Sequence, residues 1–217
     1  MRVDQKQSIP SQVKIHNVII LDGSGSMQGA KYSNAVHGVK LDLETCKNEK
    51  FKSYSFIEFN DHDSITIHNW LNPVDLVKLH FNGARSGTPL YFTIGQTLER
   101  LLSEVPKEDK VLVKIFTDGQ NTLNHGKYSN PSELQPLIVA CETRGFTITF
   151  IGTESDTLRI VKEVGINKTN TLVHNNTGEG VKMAFNIQAE ATRGYTKSVA
   201  NNEDVTTGFY SKTIIND

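Results

Sequence analysis

The feature that most constrains this chain is an unbroken apolar run, Val18-Ile19-Ile20-Leu21, followed at once by Asp22-Gly23-Ser24-Gly25-Ser26. A strand apolar at every position must be covered on both faces, which is the situation of a central strand in a parallel sheet. The turn after it holds two glycines that let the backbone bend tightly, and two serines that can point into one hollow. The next stretch reads as a helix, because Tyr32, Val36, Val39, Leu43 and Cys46 recur at spacings of four and three.

The same alternation continues along the chain. Phe51–Asn60 reads as a second strand and Ser64–Trp70 as a third, and only Asp61, His62 and Asp63 separate them, so these two should form an antiparallel hairpin. Leu71–Gly87 reads as loop with a short helix around Asp75. A helix from Pro89 should bury Tyr91, Ile94, Leu98 and Leu101, with Thr88 placed to cap it. Val111–Phe116 is a further strand. It is followed by a helix presenting Leu134, Leu137, Ile138 and Cys141, a strand over Phe146–Ile151 and a helix over Leu158–Val164. A short strand at Thr171–His174 and a helix over Val181–Ala191 complete the pattern.

Strands alternating with helices in this rhythm define an α/β fold: a doubly wound, mostly parallel central sheet with one antiparallel edge strand and helices on both faces. We divide the chain into an N-terminal arm at 1–12, one domain over 13–194 and a C-terminal extension at 195–217. Beyond Gly194 the periodicity fades. That stretch is open to two readings, a loosely packed terminus or a segment that packs on the domain or docks a partner.

Charge and composition narrow the function. Lys and Arg total 23 against 24 Asp and Glu, a formal net charge of -1, so there is no basic excess to follow a phosphate backbone. No nucleic-acid partner is expected. The opening MRVDQKQSIPSQ lacks the apolar core of a secretion signal, and no apolar stretch approaches the roughly 18 residues of a membrane span. Cys46 and Cys141 lie in helical patterns without a CxxC partner and read as buried free thiols. A cytoplasmic protein with no membrane partner is the expectation.

The chemistry gathers at strand ends. In parallel α/β sheets ligands bind beyond the carboxyl ends of the strands, and two strands here finish with an aspartate, Asp22 and Asp118. One aspartate there is commonly a turn residue or a cap. Two on neighbouring strands repel each other unless a cation lies between them. Carboxylate and hydroxyl oxygens are hard donors suited to Mg2+, Mn2+ or Ca2+ rather than to zinc or copper.

Asp22-Gly23-Ser24-Gly25-Ser26-Met27 resembles the DxSxS motif of von Willebrand factor A domains, which supplies most of their metal-ion-dependent adhesion site. Ser86-Gly87-Thr88-Pro89-Leu90 and Phe116-Thr117-Asp118-Gly119 are similar to the two later segments of that site, in the same order. The resemblance spans about residues 13 to 190. It implies one divalent metal, Mg2+ or else Mn2+ or Ca2+, held by Asp22, Ser24, Ser26, Thr88 and Asp118. It also implies a non-enzymatic protein-binding module in which an exposed Asp or Glu of a partner completes the metal's shell.

Three alternatives remain open. A haloacid dehalogenase-like phosphohydrolase would use Asp22 as nucleophile, but the aspartate expected two residues later is Ser24. An RNA-binding scaffold of the Ro type would need a helical-repeat ring that is not seen here. The domain could instead serve as a subunit of an AAA+ ATPase or stress-response complex. No G-x-G-x-x-G, GK[ST] or G-x-S-x-G pattern is present, and the seven histidines lack HxH or HExxH spacing.

Overall fold

Val18–Leu21 lies near the middle of a six-stranded sheet of order β3-β2-β1-β4-β5-β6. The computed structural model describes residues 13–60, 64–76, 78–84, 87–118, 120–122 and 127–211, with the side chains of 64–69 excepted. The expected turn at Asp61, His62 and Asp63, and also Ser86, Gly119 and His125, fall outside the described residues.

The strands are β1 (Ile15–Asp22), β2 (Ser53–Phe59), β3 (Ser64–Leu71), β4 (Lys110–Phe116), β5 (Thr147–Gly152) and β6 (Thr171–Val173). All neighbours run parallel except β2 and β3, so the antiparallel strand sits at one edge as the hairpin reading requires. The helices are α1 (Ala30–Asn48), α2 (Leu90–Glu104), α3 (Gln135–Thr143), α4 (Glu154–Arg159) and α5 (Gly178–Ala200). A π-helical turn, Ile160–Val164, continues α4.

Side chains alternate across β1 and create two cores. Ile19 and Leu21 join α1 and α5 on one face, while Val18 and Ile20 join α2, α3 and the π-helical turn on the other. α1 and α5 pack closely because Gly38 has no Cβ: one there would stand 2.1 Å from the Phe185 ring. The first of these cores contains a buried charge network. Lys114 of β4 donates to Asp42 of α1 at 2.5 Å, and Asp42 also accepts from Asn17 of β1 (3.0 Å), Tyr54 of β2 (3.2 Å) and Gln188 of α5 (3.3 Å). A buried ion pair persists only when further hydrogen bonds satisfy its remaining groups, and here four elements meet on one carboxylate.

Three expectations need adjustment. α2 begins at Leu90 with Pro89 at its N-cap position and no side-chain cap bond, so Thr88 is not its cap. α4 starts at Glu154, before the apolar residues that mark the pattern, and Leu158 is exposed. α5 runs on through Gly194 to Ala200, and the chain after it folds back onto the sheet. Val205, Phe209 and Tyr210 are buried there, with the Tyr210 amide donating to the Thr169 carbonyl and the Thr147 hydroxyl to the Val205 carbonyl. Of the two readings of this stretch, packing on the domain holds for the described residues up to 211. Cys46 and Cys141 are both free and buried, as expected.

Candidate metal centre

The strand order reverses between β1 and β4. The connection after β1 leads to α1 on one face, while the connection after β4 leads to α3 on the other, so the two loops diverge and leave a crevice at the carboxyl end of the sheet. Asp22 closes β1 and Asp118 follows β4 by two residues, which puts both at this crevice.

The loop after β1 is drawn tight against β2. The Gly23 amide donates to the Phe59 carbonyl at 2.8 Å, and a Cβ on Gly23 would stand 3.0 Å from Oε1 of Glu58. A short 3-10 turn at Gly25–Met27 then turns both serines toward one point. Asp22 Oδ1 accepts from the Ser24 amide at 2.7 Å, and its other oxygen accepts from the Thr117 hydroxyl. Ser24 Oγ and Ser26 Oγ are 2.9 Å apart, and Ser26 donates to Asp118 Oδ1 at 2.6 Å. Asp22, Ser24, Ser26 and Asp118 therefore form one continuous hydrogen-bonded chain.

Burial shapes the electrostatics. Asp22 is wholly buried, which pushes its carboxyl up to about 6; the bonds from Thr117 and Ser24 oppose the rise, and the negative charge of Asp118 adds to it. Asp118 also has its side chain inside, while Ser26 lies at the exposed rim.

Thr88 is buried, and its backbone is locked to the loop after Asp118: its amide donates to the Thr122 hydroxyl at 2.9 Å, and its carbonyl accepts from the Thr122 amide at 3.0 Å. Among the described residues its hydroxyl makes no hydrogen bond. The structure thus joins Thr88 to the Asp118 loop through backbone, while the other four residues are joined to one another directly.

Several neighbours of the site are not among its five expected ligands. Thr117 holds the inner oxygen of Asp22, and Lys31, in the first turn of α1, pairs with the outer oxygen of Asp118 and with Asn176 Oδ1 at 3.0 Å. Glu58 and Tyr32 brace the segment leading to Thr88. Tyr32 donates to Glu58, which accepts from the Asn82 amide at 2.8 Å, and the Gly83 amide donates to Tyr32 at 2.9 Å. Of these, Thr117 alone lies inside a recognised motif.

The donor chemistry suits a hard divalent ion. Two carboxylates and three hydroxyls offer oxygen alone, the donor type that such ions take.

A doubly wound α/β domain with its polar crevice where the strand order reverses is a broad class. Comparison with solved structures narrows it: the chain has the von Willebrand factor A fold. It is similar to the von Willebrand factor type A protein from Catenulispora acidiphila, with a TM-score of 0.57 and 17% identity over 85% of this chain and 43% of that one. The SpRpn10 VWA domain matches with a TM-score of 0.60 at 11% identity, over 81% of this chain and 95% of that one. The pilus adhesin SpaC from Lactobacillus rhamnosus GG matches with a TM-score of 0.65 at 13% identity, over 84% of this chain. The chain spans 31% of that adhesin and 48% of a mussel byssus proximal thread matrix protein, so it corresponds to only part of each. No protein-family model matches the sequence, and no curated protein does.

Proposed function

We propose that this chain is a divalent-metal-dependent protein-binding module. Asp22, Ser24, Ser26, Thr88 and Asp118 would hold one Mg2+, or Mn2+ or Ca2+, and an exposed Asp or Glu of a partner protein would take an open coordination position. The observation that carries this reading is the hydrogen-bonded chain from buried Asp22 through Ser24 and Ser26 to Asp118, in the crevice where such sheets bind ligands. Two carboxylates balance a divalent charge, while the neutral hydroxyls leave the ion electrophilic toward an incoming anion. A binding role also accords with Ser24 standing where a phosphohydrolase of this topology would carry its general acid.

A cytoplasmic setting is part of the proposal. The two free, buried thiols accord with a reducing compartment, and no helix among the described residues is long and apolar enough to cross a membrane.

The test is a pull-down from cell extract in Mg2+ and in chelator, using the wild-type chain and Asp22→Ala. A set of partners retained in Mg2+, and lost in chelator and in the variant, supports the reading. The same set in all three samples overturns it.

A further inference from the structure

Lys31 occupies an unfavourable place for a cation. It is the second residue of α1, where the helix dipole presents its positive end, and no acidic residue of that first turn offsets it. Its ammonium is nevertheless drawn inward, with the side chain 18% exposed, onto a carboxylate that is fully buried. Asn176, just before α5, accepts from the same ammonium at 3.0 Å. The first turns of α1 and α5 touch here, for a Cβ on Gly178 would stand 3.0 Å from that of Ala30. Lys31 therefore sits at the mouth of the crevice and spans the two helix starts.

Charge counting gives this contact a consequence. Asp22, Asp118 and Lys31 together leave one negative charge at the site when both carboxyls are ionised. A divalent ion added with Lys31 in place would make the site positive, with an ammonium and a metal ion on the same carboxylate. With Lys31 swung out, the two carboxylates balance the ion. Lysine suits this exchange, because its charge rides on a flexible four-carbon stem.

We propose that Lys31 is a tethered competitor of the metal: its ammonium holds Asp118 until a divalent ion displaces it, which lowers the site's affinity and releases a cation at the rim where a partner docks. This inference rests on the metal-binding reading above and adds regulation by a residue outside the five ligands.

Two measurements test it. Calorimetry with Mn2+ on the wild-type chain and Lys31→Met should show tighter binding in the variant by at least about tenfold, since a charge at this range shifts a binding equilibrium by that order. Separately, the wild-type chain is treated with an amine-acylating reagent in chelator and in Mn2+, and modification at Lys31 is read by mass spectrometry. Labelling should rise several-fold with Mn2+, and Asp118→Asn should show the raised level in chelator as well. Mn2+ binding accompanied by unchanged Lys31 labelling, or by equal affinity in Lys31→Met, overturns the competitor and leaves the metal site standing. No Mn2+ binding in either protein overturns both. Binding seen only in Lys31→Met supports both.

Discussion

The Ser26 hydroxyl donates to an Asp118 carboxylate oxygen at 2.6 Å, although the two residues lie 92 positions apart. The bond joins the loop after β1 to the loop after β4, and with Ser24 it links the two aspartates without any third charged group. Ser26 is also the exposed member of the set, so its contribution can be removed without opening the core.

Ser26→Ala removes a hydrogen bond to a buried carboxylate and should cost folding stability about 1–3 kcal/mol. Mn2+ affinity should fall by about tenfold or more, because in the metal-binding reading the ion loses one of its oxygen ligands. Calorimetry and urea denaturation on the same preparation separate the two effects. Unchanged affinity would remove Ser26 from the site.

Asp22 gives a pH dependence whose sign can be worked out. Its folded value of about 6 lies above the ordinary 3.8, because burial disfavours the charged form. The stability contributed by its protonated form is complete below about pH 4 and lost as pH rises through about 6, a difference of about 3 kcal/mol. In chelator at pH 7.5, Asp22→Asn should be more stable than wild type by about 1–3 kcal/mol, and the gap should close toward pH 4. Divalent ions should stabilise the wild type and not the variant. Denaturation in urea across this pH range checks the sign, and a gap constant with pH would contradict it.

The Asp42–Lys114 pair predicts non-additivity. Lys114→Met leaves a buried carboxylate without its cation and should cost about 3–5 kcal/mol. Asp42→Asn should be destabilising as well, and the double variant should cost less than the two single changes together. Additivity within about 0.5 kcal/mol would mean that the two side chains are not coupled.

Phe209→Ala tests the returning C-terminal segment. Phe209 is buried against Tyr195 and Tyr210, with ring centroids 6.1 and 4.8 Å away. The change should cost about 3 kcal/mol in urea denaturation. It should also speed hydrogen exchange at the Tyr210 amide, which bonds to Thr169. A loss under about 0.5 kcal/mol would show that this segment adds little to the fold.

The contrast among these residues explains what can be read from the sequence. Val18–Leu21 and Val111–Phe116 are largely apolar on both faces, so their central position is legible, and with it the edge on which Asp22 and Asp118 stand. The hairpin is legible from its short connection. Lys31 is not, because a lysine in a first helical turn looks like a solvated residue, and its partner lies 87 positions away. Asp42 is hidden for a related reason: a carboxylate between Leu41 and Leu43 reads as solvated, whereas its place between Val39 and Cys46 on the helix turns it to the sheet, where Lys114, Asn17 and Tyr54 meet it. α5 itself reads short because glycine and polar residues blur the period near Gly194, whereas the segment returning from Val205 gives the far half of the helix something to cover. Thr88 reads as a cap because Pro89 suits a first turn; the helix begins one residue later.

The network around Asp42 also governs how the strands can align. Lys114 stands opposite Ile19 in the β1–β4 pairing, with its ammonium on the α1 side. Sliding β4 by one residue would turn every one of its side chains to the opposite face. The lysine would then enter the second core, among the apolar side chains of Val18, Ile20, Leu98 and Ile138. The apolar residues of β4 would tolerate that exchange, since both faces of the sheet are oily. The single charge would not, so Lys114 acts as a key that admits one alignment of β1 and β4, and with it one spacing between Asp22 and Asp118.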